Sequence, residues 1–207
     1  MDKIKQLQDM INESNRIVFF GGAGVSTESN IPDFRSADGL YRQKYRYSPE
    51  QIVSHSFFMQ HTEEFYDFYK NKMIFLDAKP NKAHLKLAEM EQAGKLSAIV
   101  TQNIDGLHQA AGSKNVFELH GSVHRNYCQK CGKFFDVNYV VNAKGVPYCD
   151  ECGGIIKPDV VLYEEGLDSN VIDRSIRAIS EADTLIIGGT SLVAVSYTHL
   201  RAHETLR

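Results

Sequence analysis

Apolar residues recur along the chain in two registers. Ile4, Leu7, Met10 and Ile11 share one helical face, and Ile17-Val18-Phe19-Phe20 then forms an unbroken apolar run, the pattern of a strand buried on both sides. The same reading predicts further strands over 98–101, 115–118, 160–163 and 184–187, with helices over 84–93 and about 169–182. Strands alternating with helices predict an α/β fold: a Rossmann-like parallel sheet with helices on both faces. Two stretches fall outside this rhythm, an aromatic-rich one at about 39–79 and a cysteine-bearing one at about 125–154, and both read as insertions.

Composition narrows the class. The 207 residues are 43% apolar and 24% charged, which fits one globular domain with or without a small module and excludes disordered, collagenous and coiled-coil chains. A chain of this length buries roughly 70% of its unfolded surface, so its main core needs neither disulfides nor an oligomer, and any metal is a local staple. Lys and Arg number 23 against 26 Asp and Glu, a net charge of −3, and form no run. That lacks the electrostatic footprint of a duplex binder, so no direct nucleic-acid partner is expected. The start, Met1-Asp2-Lys3-Ile4-Lys5, leads into no signal region, and the apolar runs are too short to span a bilayer. A soluble cytoplasmic protein with no membrane partner is expected.

All four cysteines fall in two pairs, Cys128-Gln-Lys-Cys131-Gly and Cys149-Asp-Glu-Cys152-Gly, 17 residues apart. The two-residue gap lets both thiolates of a tight turn face one ion, and four sulfurs close a tetrahedron. Such a closed zinc site holds structure and leaves no position for water or substrate. The alternatives are a redox dithiol or two disulfides; an intracellular setting argues against the latter.

Gly21-Gly22-Ala23-Gly24-Val25-Ser26-Thr27-Glu28 sits where the first strand is expected to turn into a helix, a place where small residues, free N–H groups and a helix dipole suit a pyrophosphate. Thr27 stands at the third glycine of a dinucleotide fingerprint, and no GK[ST] follows, which excludes a Walker loop. Chemistry-bearing clusters follow at Ile31-Pro32-Asp33-Phe34-Arg35, at Thr101 through His108, and at Glu118-Leu119-His120-Gly121. Singly each has a bland reading, with Asp105 as a helix cap, His120 as a satisfied core histidine and Phe34 as a core aromatic. Jointly, two of these clusters follow strand ends, the lip of an open parallel sheet where ligands bind.

These residues resemble the sirtuins, NAD-dependent protein-lysine deacylases, of bacterial type. The resemblance runs from about Ile4 to Leu192 and rests on Gly22 to Arg35, Thr101-Gln-Asn-Ile-Asp-Gly-Leu-His108, His120-Gly121 and Gly189-Thr190-Ser191. It implies a Rossmann-like domain (1–38, 80–124 and 155–193), a helical insertion (39–79) and a zinc-ribbon module (125–154), with NAD and an extended acetyl-lysine peptide meeting between them. By the same resemblance Gly22, Ala23, Gly24, Ser26 and Thr27 line the dinucleotide, with Arg35 near its phosphates. Phe34, Ile104 and Asp105 bound the nicotinamide pocket, and Asp33 is a further cofactor-binding residue. Gln102 and Asn103 meet the ribose, and Gly189, Thr190 and Ser191 the adenosine half.

His120 is the implied general base, with Asn103 and Asp105 as catalytic partners, and Val160, Val161, Leu162, Tyr163 and Tyr66 touch the substrate. Cys128, Cys131, Cys149 and Cys152 hold the zinc. The implied reaction consumes NAD: the acyl oxygen attacks the anomeric carbon as nicotinamide leaves, and free lysine and 2′-O-acetyl-ADP-ribose are released. The expected partners are acetylated protein lysines, and the expected state is a monomer. Two other readings compete, a non-catalytic NAD-binding zinc-ribbon interaction module and a protein ADP-ribosyltransferase.

The chain departs from the family pattern in places. Asn30 replaces a glycine before Ile31, a mild change if the backbone there is left-handed. Glu164 stands where many members have glycine. The tail 194–207 does not resemble the family and has the look of a foreign ending. Members that favour succinyl groups resemble one another in a Tyr-x-x-Arg pair; here the pair is Tyr66 and Tyr69, which predicts an acetyl preference.

Overall fold

The structure is a computed structural model that describes residues 2–33 and 46–190. In chain order these form α1 (Lys3–Glu13), β1 (Ile17–Gly21), two single 3-10 turns (Ala23–Val25 and Thr27–Ser29), α2 (Pro49–Ile52), α3 (His55–Gln60) and α4 (Thr62–Lys72). There follow α5 (Lys82–Gln92), β2 (Leu96–Thr101), α6 (Leu107–Ala110), β3 (Val116–Glu118), β4 (Gly121–Cys128), β5 (Phe134–Asp136), α7 (Val137–Asn142), β6 (Ile156–Val160), α8 (Ser169–Ser180) and β7 (Thr184–Gly188). No helix among them is long and apolar enough to cross a membrane.

One sheet has the order β3-β2-β1-β7 with every pairing parallel. Its central strand explains the unbroken apolar run. Val18 and Phe20 face a core with Ala98, Val100, Phe117 and the apolar side of α8, while Ile17 and Phe19 face the opposite side with Leu87, Leu96 and Ile99. Alternate side chains of β1 therefore enter two separate apolar layers, and no polar position can be spared.

The second sheet, β5-β4-β6, is antiparallel and carries the cysteines. Here the structure departs from the expected division. The strand expected over 160–163 in the parallel sheet lies instead at Ile156–Val160 and pairs with β4. Gly121 makes this pairing accessible: at φ +74 it lets β6 approach so closely that a Cβ there would lie 1.9 Å from the Asp159 carbonyl oxygen. The two insertions also share one core. Phe57, Phe58, Phe65, Tyr66 and Tyr69 from α3 and α4 pack with Cys128, Phe135, Val140, Cys149 and Ile156, so they form a single small lobe. Lys70 fastens it further by donating to the carbonyls of Ala143 and Gly145 at 2.7 Å.

Candidate active site

The glycine loop leaves β1 and turns at once. It does not begin an α-helix: two 3-10 turns follow, and the N–H groups of Gly24, Val25 and Ser26 are already bonded to Gly189, Gly22 and Ala23. The expected helix dipole is therefore replaced by close packing. A Cβ on Gly22 would sit 2.8 Å from the Gly189 oxygen, and one on Gly24 would sit 2.9 Å from the Gly189 Cα. Glycines at 22, 24 and 189 let the loops after β1 and β7 meet at the point where strand order reverses, the crevice in which open α/β sheets bind ligands. Asn30 adopts φ 62, so its replacement of glycine keeps the left-handed backbone that the loop needs.

The other candidate residues lie at the neighbouring strand ends. After β2, the amide oxygen of Gln102 accepts from the Thr190 hydroxyl at 3.1 Å, joining two residues expected at opposite halves of the dinucleotide. Ser26, expected to line the cofactor, is instead 1% exposed. Its hydroxyl donates to Asp105 (2.7 Å) and accepts from the Asn103 amide (3.0 Å), so it acts on the crevice by fixing those two side chains. The other Asp105 oxygen accepts from the Leu107 N–H at 2.9 Å, which makes Asp105 a cap for α6 as well. Thr27 is exposed at the loop surface and bonds back to the Gly24 carbonyl.

His120 is joined through Nδ1 to the Gln102 carbonyl oxygen at 3.0 Å. A carbonyl can only accept, so Nδ1 carries the proton in the neutral ring and Nε2 is left as the acceptor. Burial pushes the pKa of His120 below its ordinary value, against the raising effect of that same bond. The ring is thereby held neutral and single-tautomer at cellular pH. Its main chain takes part too, since the His120 carbonyl accepts from the Val161 N–H at 3.0 Å.

Two further histidines lie behind the site: His108, which closes the Thr101–His108 cluster but has no role of its own assigned from sequence, and His84, which the sequence marks only as part of a helix. His84 is fully buried at the third position of α5. Its Nδ1 accepts from the Asn81 N–H, which turns Nε2 toward the Ser26 hydroxyl at a long 3.5 Å. The His108 ring lies 4.8 Å from that of His84, is 1% exposed, and has both nitrogens without a hydrogen-bond partner among the described residues. Burial, then the charge of His84, pushes its pKa down to about 4. Only the Asn81-x-x-His84 spacing of a capping box signals His84; nothing local says that it reaches the site.

Tyr66 does not meet the crevice. It is fully buried in the small lobe, with its hydroxyl donated to the Ile156 carbonyl, so the expectation that it touches substrate is overturned. Tyr69 is equally buried, stacked on Phe65, and its hydroxyl has no hydrogen-bond partner among the described residues. Phe34, Arg35, Ser191 and the tail 194–207 lie outside the described residues.

The four cysteine sulfurs converge at the tip of the second sheet, all within 4.8 Å of one another, with Cys128 to Cys152 at 3.4 Å and Cys131 to Cys149 at 3.6 Å. Four thiolates at Zn–S distances near ~2.3 Å would stand about this far apart, so the donor set and its size fit a closed zinc site.

The Sir2 family model matches residues 22–196, a span that includes the glycine loop, His120 and all four cysteines. The chain belongs to the Sir2 family. Its sirtuin relatives include the NAD-dependent protein deacetylase of Clostridium acetobutylicum, 67% identical over 93% of this chain and 80% of that protein. The protein of the same name from Clostridium perfringens is 66% identical, with the same coverage. Among solved sirtuin structures, a Sir2 complex with a p53 peptide and NAD+ superposes with a TM-score of 0.85 at 40% identity, covering 98% of this chain and 82% of the other. Another, holding a deacetylated p53 peptide and 3′-O-acetyl-ADP-ribose, superposes at 0.89, again at 40% identity, with the same coverage.

Proposed function

We propose that this sirtuin is an NAD-dependent protein-lysine deacetylase whose proton acceptor is His120 Nε2. The observation that carries this reading is the Nδ1 bond to Gln102, which sets the tautomer of a half-buried histidine at the lip of the parallel sheet. NAD, when bound, supplies an anomeric carbon that loses nicotinamide and accepts the acyl oxygen of an acetyl-lysine. Gly22, Ala23, Gly24 and Thr27 would hold its pyrophosphate side, and Gly189 and Thr190 its adenosine side. Gln102, Asn103, Ile104 and Asp105 would surround the ribose and nicotinamide, with Asn103 and Asp105 pre-set by Ser26. Asp33, Phe34, Arg35 and Ser191 complete the set on the resemblance alone.

An anomeric carbon that develops positive charge needs positioning and exclusion of water more than a strong acid, which suits this amide-rich crevice. His120 Nε2 would take a proton from the ribose hydroxyls, so that the sugar oxygen could attack the acyl carbon and water, adding to that carbon, could release the free lysine. Val160, Val161, Leu162 and Tyr163 are the backbone against which an extended peptide would pair. The close relatives' shared name and the solved complex with an acetylated sugar product support this reading over a non-catalytic module or an ADP-ribosyltransferase. Zinc on the four cysteines supports the small lobe and does no chemistry. We place the protein in the cytoplasm as a monomer acting on acetylated proteins. Incubation with labelled NAD and an acetylated peptide tests the proposal: nicotinamide and free lysine should appear in equal amounts. Nicotinamide without free lysine would favour ADP-ribosyl transfer, and neither product would favour the non-catalytic module.

A further inference from the structure

The backbone expected to clamp the peptide ends in a residue of unusual conformation. Glu164 lies at φ +76, in the left-handed region that residues with a Cβ avoid and that asparagine tolerates better than glutamate. Its own side chain accounts for the hold. One carboxylate oxygen accepts from the Ser56 N–H at 2.9 Å and the other from the Ser56 hydroxyl at 2.9 Å. Beside it the Tyr163 N–H donates to the Val53 carbonyl and the His55 N–H donates to the Tyr163 carbonyl, each at 3.0 Å. Four hydrogen bonds thus fasten residues 163 and 164 to the start of α3. At the other end, the Val161 N–H is fixed to His120, and between them the Leu162 N–H is held by the Glu165 carboxylate at 2.9 Å.

We propose that Glu164 is a positioning residue for substrate peptide: its two-pronged grip on Ser56 keeps the main chain of 161–163 extended before the peptide arrives. Glycine at this position would adopt the same φ without strain but would lose two of the four bonds to the start of α3, leaving the turn held by main-chain bonds alone and looser before each binding event. Glutamate accepts the strain and supplies the tether. The inference rests on the deacetylase reading, and on 160–163 being the peptide-pairing backbone.

The test compares Glu164→Gly, Glu164→Gln and Ser56→Ala with the unaltered chain, reading peptide KM, NAD KM, kcat and Tm. Glu164→Gly should raise peptide KM by about 3- to 10-fold, the scale of ordering one or two residues. Its kcat, NAD KM and Tm should hold, because the relieved backbone offsets the lost bonds. Glu164→Gln should behave like the parent, since its amide can accept from the Ser56 N–H and donate to the hydroxyl, and Ser56→Ala should fall between. An unchanged peptide KM in Glu164→Gly overturns the role. So does equal impairment in the Gly and Gln variants, which would mean that the peptide reads the charge. A fall in Tm and in all kinetic parameters together would reduce Glu164 to a structural part. If the unaltered chain does not deacetylate, the underlying function fails and the inference with it; an active parent with a silent Glu164→Gly sinks the inference alone.

Discussion

The main-chain N–H of Val161 donates to the carbonyl oxygen of His120 at 3.0 Å, so the backbone proposed to pair with peptide hangs from the proposed proton acceptor. Changing the His120 side chain leaves that bond intact. His120→Ala should therefore lower deacetylation by about 10²- to 10⁴-fold, the usual effect of losing a general base, while peptide and NAD affinities survive. Turnover measured beside binding of both ligands checks this, and an active purified variant would refute the role.

His120 must be neutral to accept a proton, and burial lowers its pKa. The acid limb of kcat/KM should accordingly lie below the ordinary histidine value of about 6.5, with activity flat through neutrality. A pH–rate profile with its acid limb at or above that value would contradict the assignment.

His108 makes a separate claim on stability. Its folded-state pKa of about 4 is below the ordinary 6.5, so between these pH values the unfolded chain binds the extra proton. The stabilisation is complete above pH 6.5 and is lost progressively as pH falls toward 4, amounting in full to roughly 3 kcal/mol. Denaturant midpoints followed from pH 7 to 4 should show the decline, and His108→Phe should flatten it.

Metal removal should reach beyond the second sheet. Cys128 and Cys149 are buried in the same core as Phe57, Phe58, Phe65 and Tyr66, so a strong chelator should reduce helical circular dichroism as well as metal content. One zinc per chain is expected in protein purified without chelator. Loss of metal with helicity and Tm unchanged would show that the packing stands without it.

Tyr66 and Tyr69 are both fully buried in the small lobe, so neither presents a group to an acyl chain in the crevice. Tyr66→Phe leaves the Ile156 carbonyl without its donor and should destabilise by about 1–3 kcal/mol, whereas Tyr69→Phe removes a hydroxyl that has no partner among the described residues and should be neutral or stabilising. Tyr69→Arg, which on sequence alone would shift preference toward succinyl, should instead lower Tm by burying an unpaired cation. Acetyl-lysine should still be turned over faster than succinyl-lysine; the crevice side of the small lobe gains no cation from either tyrosine. Melting curves for the three variants and paired peptide assays separate these outcomes.

Much of this architecture can be read without coordinates, for identifiable reasons. The apolar run of β1, the helices expected over 84–93 and 169–182 and the paired cysteines are local signals, and each lies close to its observed limits. What escaped depends on residues far apart in sequence. Ser26 meets Asn103 and Asp105 across more than seventy positions, so its hydroxyl looks like a cofactor contact until the crevice is assembled. The strand expected at 160–163 lies one step earlier in the chain, as β6, and the approach allowed by Gly121 brings it to β4 instead of the parallel sheet. The face of α1 shows the converse: its periodicity is clear, yet Ile4 is 78% exposed.

The passage from β3 to β4 has a mechanical consequence. Strand β3 of the parallel sheet ends at Glu118 and strand β4 of the antiparallel sheet begins at Gly121, leaving only Leu119 and His120 between them. Any swing of the small lobe about this link would sweep the cysteine tip through the widest arc and move His120 the least. The proton acceptor would sit at the fulcrum, keeping its register with Gln102 while the lobe that carries Tyr163 and Glu164 opens or closes on a peptide.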